Sequence, residues 1–392
     1  MQGSKTTLVI GKKMQKSILV SVLIVVIVLV TGSCDLILEA AVRAAGWSAP
    51  KPWHTVGTAG FSTADAYGPS FALDSTDTPY VAFSDDANMG KETVMKYTSG
   101  SWQTVGAAGF SVSQVQDLSV VLDSSGNLFV GFNGLPFYHY SVMKYASGSW
   151  QTVGAAGFCT GSYPSLALDS NGSPFVAFDD ENNGHKATVM TYANGSWQTV
   201  GGAGFSTREA YCLSLALDSS DNPYVAFADG ANSSKATVMK YSSGSWQNVG
   251  AGGFSAGSAW DISLALDSSG SPFVAYSDGA HDGKATVWKY SNGAWQTVGI
   301  AGFSAGTAYW VSLALDAWGT AYIAYVDYGN SSKATVMMHS RDNYQGWQTV
   351  GAAGFSAGQA EFTSLALDSA GFPYVSFRDL ANDGKATVMT TK

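Results

Sequence analysis

Basic residues are scarce in this sequence, and so are charged residues of any kind. Of 392 residues only 12% are charged, against about 25% in average globular proteins. Lys and Arg number 20 against 29 Asp and Glu, and four of the lysines (Lys5, Lys12, Lys13 and Lys16) lie near the N-terminus. A basic face is needed to bind nucleic acid, and basic clusters are needed to dock on anionic lipid. The acidic body of the chain therefore disfavours both partners.

Motifs for catalysis and metal binding are also missing. The sequence has no nucleophilic triad, no metal-ligand cluster and no phosphate-binding loop. Its five histidines fall at unrelated positions: His54, His139, His185, His281 and His339. We therefore expect no metal and no cofactor, and we expect a binding protein rather than an enzyme.

A long apolar run occurs only near the N-terminus. Lys12, Lys13 and Lys16 precede "ILVSVLIVVIVLV" (18–30), and "TGSC" then ends at Cys34. This order resembles a bacterial lipoprotein signal peptide, which implies lipidation of Cys34. An uncleaved anchor over residues 17–34 and ordinary secretion are the alternatives. All three predict export, and the first two hold the protein at the cell envelope, on the extracytoplasmic side of the membrane, which is the location we expect. The predicted regions are 1–34 as signal or anchor, 35–52 as linker and 53–392 as the folded domain.

Beyond Cys34 the chain has two cysteines, Cys159 and Cys212, in the loops of neighbouring repeats. In an exported protein they could form a disulfide, or they could be two small apolar residues. The sequence leaves both alternatives open.

One phrase, "WQTVGAAGF", recurs throughout the rest of the chain. Copies and close variants begin at Trp53, Trp102, Trp150, Trp197, Trp246, Trp295 and Trp347. A period of about 48 residues indicates a repeat architecture. Each unit contains four short runs rich in Val, Phe, Tyr and Thr, bounded by Gly, Asn, Asp and Ser, as in 263–299. Such runs are strands joined by turns.

Seven units of four antiparallel strands predict an all-β fold, a seven-bladed β-propeller. The last copy ends at "KATVMTTK" without its "WQTVG" strand, while the first copy supplies a spare one at 53–57. We therefore expect the N-terminal strand to join the last blade and close the ring, which hides the edges of an open array.

The unit "SLALDSSGxPYVAFxD" resembles the repeat of NHL-type propellers, and the whole chain is similar to exported bacterial propeller repeat proteins. The resemblance implies the fold and no activity. Within each unit we interpret the Trp as packing between blades and the Asp after "SLAL" as a turn former.

The copies differ most in the long loop after "WQTVG". Two residues shortly before each "SLALD" vary among aromatic, acidic and amide side chains, while their surroundings stay nearly constant. Variable loops on a rigid scaffold are typical binding surfaces, although drift would also produce variation. The predicted ligand-binding residues, at the mouth of the central channel, are Tyr67, Gln116, Asp117, Tyr163, Tyr211, Trp260, Asp261, Tyr309, Trp310, Glu361 and Phe362.

A second set repeats on the same face. An Asp ends the second strand in six copies, and a Lys follows six residues later, as in Asp85 and Lys91. We expect these pairs to form ion pairs across a hairpin loop. Copy two has Gly134 and His139 instead and gains Phe137, Tyr138 and Tyr140, which we expect to be exposed.

The sequence thus predicts an exported binding module whose partner is a glycan or a surface protein. A carbohydrate-active enzyme with carboxylates Asp117, Asp261 and Glu361 is the first alternative, and a cell-surface scaffold is the second. The oligomeric state is left open.

Overall fold

The computed structural model describes residues 52–340 and 346–392, which form seven antiparallel sheets. Their strands follow in chain order. The N-terminal strand is β1 (His54–Thr55). Blade 1 comprises β2 (Ala66–Leu73), β3 (Pro79–Asp85), β4 (Lys91–Thr98) and β5 (Ser101–Thr104). Blade 2 comprises β6 (Val115–Leu122), β7 (Leu128–Gly134), β8 (His139–Ala146) and β9 (Ser149–Thr152), with the short β10 (Cys159–Thr160) also paired to β8. Blade 3 comprises β11 (Ser165–Leu168), β12 (Pro174–Asp180), β13 (Lys186–Ala193) and β14 (Ser196–Thr199).

The remaining blades repeat the pattern. Blade 4 comprises β15 (Ala210–Leu217), β16 (Pro223–Asp229), β17 (Lys235–Ser242) and β18 (Ser245–Asn248). Blade 5 comprises β19 (Ala259–Leu266), β20 (Pro272–Asp278), β21 (Lys284–Ser291) and β22 (Ala294–Thr297). Blade 6 comprises β23 (Ala308–Leu315), β24 (Ala321–Asp327), β25 (Lys333–His339) and β26 (Gln348–Thr349). Blade 7 comprises β27 (Ala360–Leu367), β28 (Pro373–Asp379) and β29 (Lys385–Thr390). Single 3₁₀ turns follow the second strand at Asp86–Asn88, Glu181–Asn183, Gly230–Asn232, Gly279–His281, Tyr328–Asn330 and Leu380–Asn382.

The ring is closed as the sequence predicts. Strand β1 pairs with β29, with His54 opposite Thr390 and Thr55 opposite Met389. It therefore supplies the fourth strand of blade 7, in the order β1-β29-β28-β27. This pairing confirms the seven-bladed propeller with four-stranded blades.

The repeated Trp packs between blades in all seven copies. Trp102, for example, donates its indole N–H to the carbonyl of Val56 at 2.8 Å and stacks on Phe61 with ring centroids 4.0 Å apart. The Phe that ends "GAAGF" in one copy therefore stacks on the Trp of the next copy. Gly57, the last residue of "WHTVG", has to be glycine, because a Cβ there would lie 2.7 Å from the ring of Tyr97.

The repeated Asp after "SLAL" forms its turn as predicted. Asp74 accepts the backbone N–H groups of Thr76 at 2.8 Å and Thr78 at 2.9 Å, and the other six copies repeat both bonds. The core lies between neighbouring blades, where Val, Ala, Phe and Tyr side chains of adjacent sheets pack together. In the described part of the chain, no helix is long and apolar enough to cross a membrane. The predicted leader, 1–34, and all of the predicted linker except Pro52 lie outside the described residues.

Candidate functional site

Each innermost strand is interrupted, or in blade 3 preceded, by a residue with left-handed backbone. In six blades the pairing with the second strand shifts register at this point, which is a β-bulge. Blade 3 has the same backbone just before β11. These seven positions, which we call the bulge ring, have φ between +49° and +60°: Gly68, Asp117, Tyr163, Cys212, Asp261, Trp310 and Phe362.

All seven bulge-ring residues line one pocket of about 500 Å³ at the end of the central channel. The bulge ring contains the second member of each variable pair found in the sequence. Seven of the eleven predicted residues line the pocket: Tyr67, Gln116, Asp117, Tyr163, Asp261, Trp310 and Phe362. The other four, Tyr211, Trp260, Tyr309 and Glu361, lie outside the lining, and Trp260 and Tyr309 are well exposed to solvent. Of the seven first members, Tyr67 and Gln116 line the pocket and five do not.

One side of the pocket is aromatic. The rings of Trp310 and Phe362 lie 4.9 Å apart, and Tyr67 meets Phe362 edge-on at 4.5 Å. Tyr309 extends this cluster outward, 6.0 Å from Trp310. Blades 6, 7 and 1 therefore present a nearly continuous aromatic wall.

The other side carries polar and acidic groups. Asp261 accepts the backbone N–H of Trp310 at 2.8 Å, and burial raises the pKa of its carboxyl. Asp117 is exposed and accepts from the Asn133 amide at 3.0 Å and from Gln116 at 3.2 Å. Burial likewise raises the pKa of the Tyr163 phenol. This side offers hydrogen-bond acceptors and donors across from the aromatic wall.

Glu361 is held in an ion-pair network outside the pocket. Arg378 donates to Glu361 and to both carboxylate oxygens of Asp65, and the bonds to Asp65 raise the pKa of the guanidinium. The guanidinium also lies 5.9 Å from the ring centroid of Tyr67. The three carboxylates predicted for an enzyme are therefore not gathered together, since only Asp117 and Asp261 line the pocket.

The two cysteines are not bonded to each other, so the disulfide alternative is wrong. Cys159 is buried in β10, whereas Cys212 belongs to the bulge ring. Burial raises the pKa of the Cys212 thiol to about 11. Cys212 is a pocket residue missing from the predicted set, although its register matches that of Tyr163, which was included.

The predicted Asp–Lys ion pairs across the hairpin loops are also wrong. Asp85 faces Lys91 in the strand register, but its carboxylate is buried and already bonded. One oxygen accepts the N–H of Ala87, and the other accepts from Asn88 and Thr93, all within 3.0 Å. The Asp instead caps the 3₁₀ turn that follows its strand.

Blade 2 differs from the others as its sequence indicates, with one correction. Phe137 and Tyr138 are exposed, at 70% and 39%. Tyr140 is fully buried instead. Its phenol lies over Gly131, where a Cβ would come within 2.0 Å of the hydroxyl oxygen. Gly131 replaces the residue that is Ala82 in blade 1, which makes room for the ring.

These features define a closed seven-bladed propeller with one pocket at a channel mouth. No family model and no curated protein matches the chain, so the NHL-type likeness of the repeat stays a prediction.

Solved structures do match, at low sequence identity. The extracellular domain of a hybrid two component system from B. thetaiotaomicron is 13% identical, with 86% of this chain spanning only 39% of that one at a TM-score of 0.57. A lectin from Burkholderia pseudomallei is 15% identical over 83% of this chain and 95% of that chain, at a TM-score of 0.57. A mutant of Aleuria aurantia lectin in complex with α-methyl-L-fucoside is 16% identical over 74% and 98%, at a TM-score of 0.51. These similarities show the fold alone.

Proposed function

We propose that this propeller is a carbohydrate-binding module and that its ligand occupies the pocket framed by the bulge ring. The observation that carries the proposal is the backbone strain of that ring. Tyr163, Trp310 and Phe362 all have φ near +50°. For a bulky residue this conformation is a true outlier and costs about 1–3 kcal/mol.

The chain itself shows a less costly solution. Gly68 occupies the same position in blade 1 with φ +60° and without strain, because it has no Cβ. Drift would favour Gly, Asn or Asp there. Large aromatic side chains at three of the seven positions argue instead that their rings are used, since strained residues cluster at ligand-binding sites.

The lining fits a neutral sugar. Aromatic faces stack on the C–H faces of sugar rings, while Asp117, Asp261 and Gln116 can accept or donate hydrogen bonds to hydroxyl groups. Among the residues that the structure describes, no Lys, Arg or His lines the pocket, which disfavours an anionic ligand. The volume of about 500 Å³ lies within the range of pockets for small ligands.

Two of the similar propellers are lectins, and one of them holds a fucoside. This supports the choice of a carbohydrate over a surface protein as the ligand.

The test is a glycan array followed by calorimetry on the purified protein. We expect Trp310→Ala and Phe362→Ala to weaken binding at least tenfold. Trp318→Ala is the matched control, because Trp318 lies in the same blade, is 69% exposed and belongs to the Asp316 turn on the opposite face. Binding that survives both mouth substitutions, or that Trp318→Ala weakens equally, contradicts the proposal. Binding to no glycan at all would favour a protein partner.

The carbohydrate-active enzyme is less well supported. Glu361 is ion-paired with Arg378, and one carboxylate oxygen of Asp261 accepts a backbone N–H. The same glycan panel, assayed for turnover with Asp261→Asn, distinguishes the two functions: hydrolysis that this variant abolishes would establish the enzyme.

We also propose that the propeller is exported and tethered through Cys34. The support is the lysine-rich, apolar and Cys-terminated order of residues 12–34. Labelling with radioactive palmitate in a bacterial host should mark the wild type and not Cys34→Ser. Membrane association without label would indicate a spanning anchor, and release into the medium would indicate secretion.

A further inference from the structure

A second pocket lies on blade 2, where the repeat breaks its own pattern. In the six other blades the second strand ends in a buried Asp: Asp85, Asp180, Asp229, Asp278, Asp327 and Asp379. In five of them this carboxylate accepts the hydroxyl of the Thr eight residues later, at 2.8–2.9 Å. Blade 2 has Gly134 at this position and lacks the 3₁₀ turn.

The partner hydroxyl remains although the carboxylate is gone. Ser141 takes the place of the Thr, and its oxygen still accepts the N–H of Gly157 at 2.9 Å, as Thr93 accepts that of Gly109. Ser141 is buried, with 8% of its surface exposed. Among the described residues, nothing accepts the proton of this hydroxyl. Blade 2 therefore keeps a buried donor, the Ser141 hydroxyl, but has no Asp carboxylate to accept from it, because Gly134 stands at that position.

A pocket of about 450 Å³ occupies this place. Ser141 and Gly134 lie in its lining, with walls formed by Phe132, Leu135 and Phe137. His139, which stands where the other blades have Lys, also lines it and contacts Thr160 through Nδ1 at 3.2 Å. The second ring nitrogen of His139 is thus left for another partner.

We propose that this pocket binds a small carboxylic acid with an apolar body. The ligand carboxylate takes the place that the Asp carboxylate occupies in the other blades and accepts the hydroxyl proton of Ser141. The apolar body lies against Phe132, Leu135 and Phe137. The other copies are the reason for choosing a carboxylate, because they show the group that this environment is built to hold. The inference is independent of the carbohydrate site at the mouth.

The first experiment titrates the full-length protein with phenylacetate, hexanoate and, as a neutral analogue, phenylacetamide. We expect at least one acid to bind and the amide to bind at least tenfold more weakly. Ser141→Ala should weaken binding of the acid about 10- to 100-fold, the range for a hydrogen bond to a charged group. Ser141→Thr restores the residue of the other blades and should retain binding.

Gly134→Asp supplies the missing carboxylate from within the chain. The site admits it, because a Cβ on Gly134 meets only the Ser113 hydroxyl at 3.1 Å and the His139 carbonyl at 3.6 Å. This variant should abolish binding of the acid and raise the melting temperature, since the carboxylate again accepts from Ser141. Trp310→Ala, at the mouth, should leave binding of the acid unchanged.

Three results would overturn the inference. They are failure of both acids to bind at millimolar concentration, equal affinity for phenylacetate and phenylacetamide, and equal affinity of Ser141→Ala and Ser141→Thr. The Ser141 pair decides the matter even if Gly134→Asp does not fold.

Discussion

Glu92 should destabilise the protein at neutral pH. Its side chain is fully buried, and neither carboxyl oxygen has a hydrogen-bond partner. It lies on the face of β4 that carries Val94, which packs against blade 2. Burial raises the pKa of Glu92 well above its usual value. Five other blades have a fully buried Ala at this position: Ala187, Ala236, Ala285, Ala334 and Ala386.

The magnitude for Glu92→Ala follows from two opposing terms. Removing an unpartnered buried polar group gains about 1–3 kcal/mol. Losing the buried methylene costs about 0.8 kcal/mol. We therefore expect a net stabilisation between about 0.2 and 2 kcal/mol at neutral pH. The reverse substitution, Ala236→Glu, should destabilise by about 3 kcal/mol or more, because it buries a carboxyl in a packed site.

The pH dependence gives a second signature. A raised pKa means that the folded state binds more protons than the unfolded state above pH 4.5, the ordinary pKa of this group. The contribution of Glu92 to the free energy of unfolding therefore falls as the pH rises from 4.5 towards the raised pKa of the folded state. Both Glu92→Ala and Glu92→Gln should remove this component.

Urea unfolding followed by tryptophan fluorescence at pH 4.5, 6 and 8 measures the effect. The quantity to compare is the difference between wild type and Glu92→Ala, which cancels the titration of other groups. The reasoning fails if Glu92→Ala is less stable than wild type at pH 8, or if the difference does not grow with pH.

Two further predictions concern backbone strain and capping. At the bulge ring, Phe362→Gly should be about 1 kcal/mol more stable than Phe362→Ala, because both remove the ring but only Gly relaxes the positive φ. Chemical denaturation checks this, and an Ala variant of equal stability would argue against strain. At the hairpin loop of blade 4, Asp229→Ala should cost about 2–4 kcal/mol, because Ala231, Asn232 and Thr237 lose their acceptor. Lys235→Ala, the control, should change stability by less than about 0.5 kcal/mol. If it costs as much as Asp229→Ala, then Asp229 and Lys235 form an ion pair and the structure is wrong on this point.

The fold was predictable because the sequence of one blade recurs seven times along the chain. The spacing of Trp residues gave the blade count, and the unmatched strand at 53–57 gave the closure through β1 and β29. The loops were less predictable. The sequence places Asp85 and Lys91 at the two ends of one hairpin, and opposite charges in that arrangement suggest an ion pair. The competing acceptor role of Asp85 depends on Thr93 and the Ala87 N–H, whose approach only the folded turn creates.

The site could be predicted in part. In every variable pair at least one member lines the pocket, but the variation does not indicate which one, and binding of a ligand by these residues stays a prediction. That choice depends on the β-bulge, which shifts the strand register between Trp260 and Ser263 and leaves Asp261 in the lining. A bulge with Gly in one copy and Trp or Phe in others has no sequence signature. The prediction that Tyr140 is exposed is wrong for a similar reason. Its ring can be buried only because Gly131 has no side chain.

The aromatic wall of the mouth is built across the seam that β1 closes. Tyr67 of blade 1 meets Phe362 of blade 7 at 4.5 Å, and Arg378 of blade 7 binds Asp65 just before blade 1. Strand β1 is continuous along the chain with blade 1, and it is held to β29 by non-covalent strand pairing. Opening this seam should therefore damage the proposed sugar site without changing any residue in it.

Trp53→Ala and Trp246→Ala form a matched pair for this test. Trp53 donates to Val350 at 2.8 Å and stacks on Phe355 at 4.0 Å, and Trp246 makes the same contacts, at the same distances, with Val200 and Phe205. Each substitution should cost about 3 kcal/mol from lost packing, stacking and one hydrogen bond.

Only Trp53→Ala should also weaken sugar binding. Strand β1 pairs with β29 over two residues, whereas β18 pairs with β17 over four. Calorimetry at a temperature where both variants remain folded measures the difference. Equal affinities for the two variants would mean that the seam stays shut without Trp53, and that the mouth does not depend on how the ring is closed.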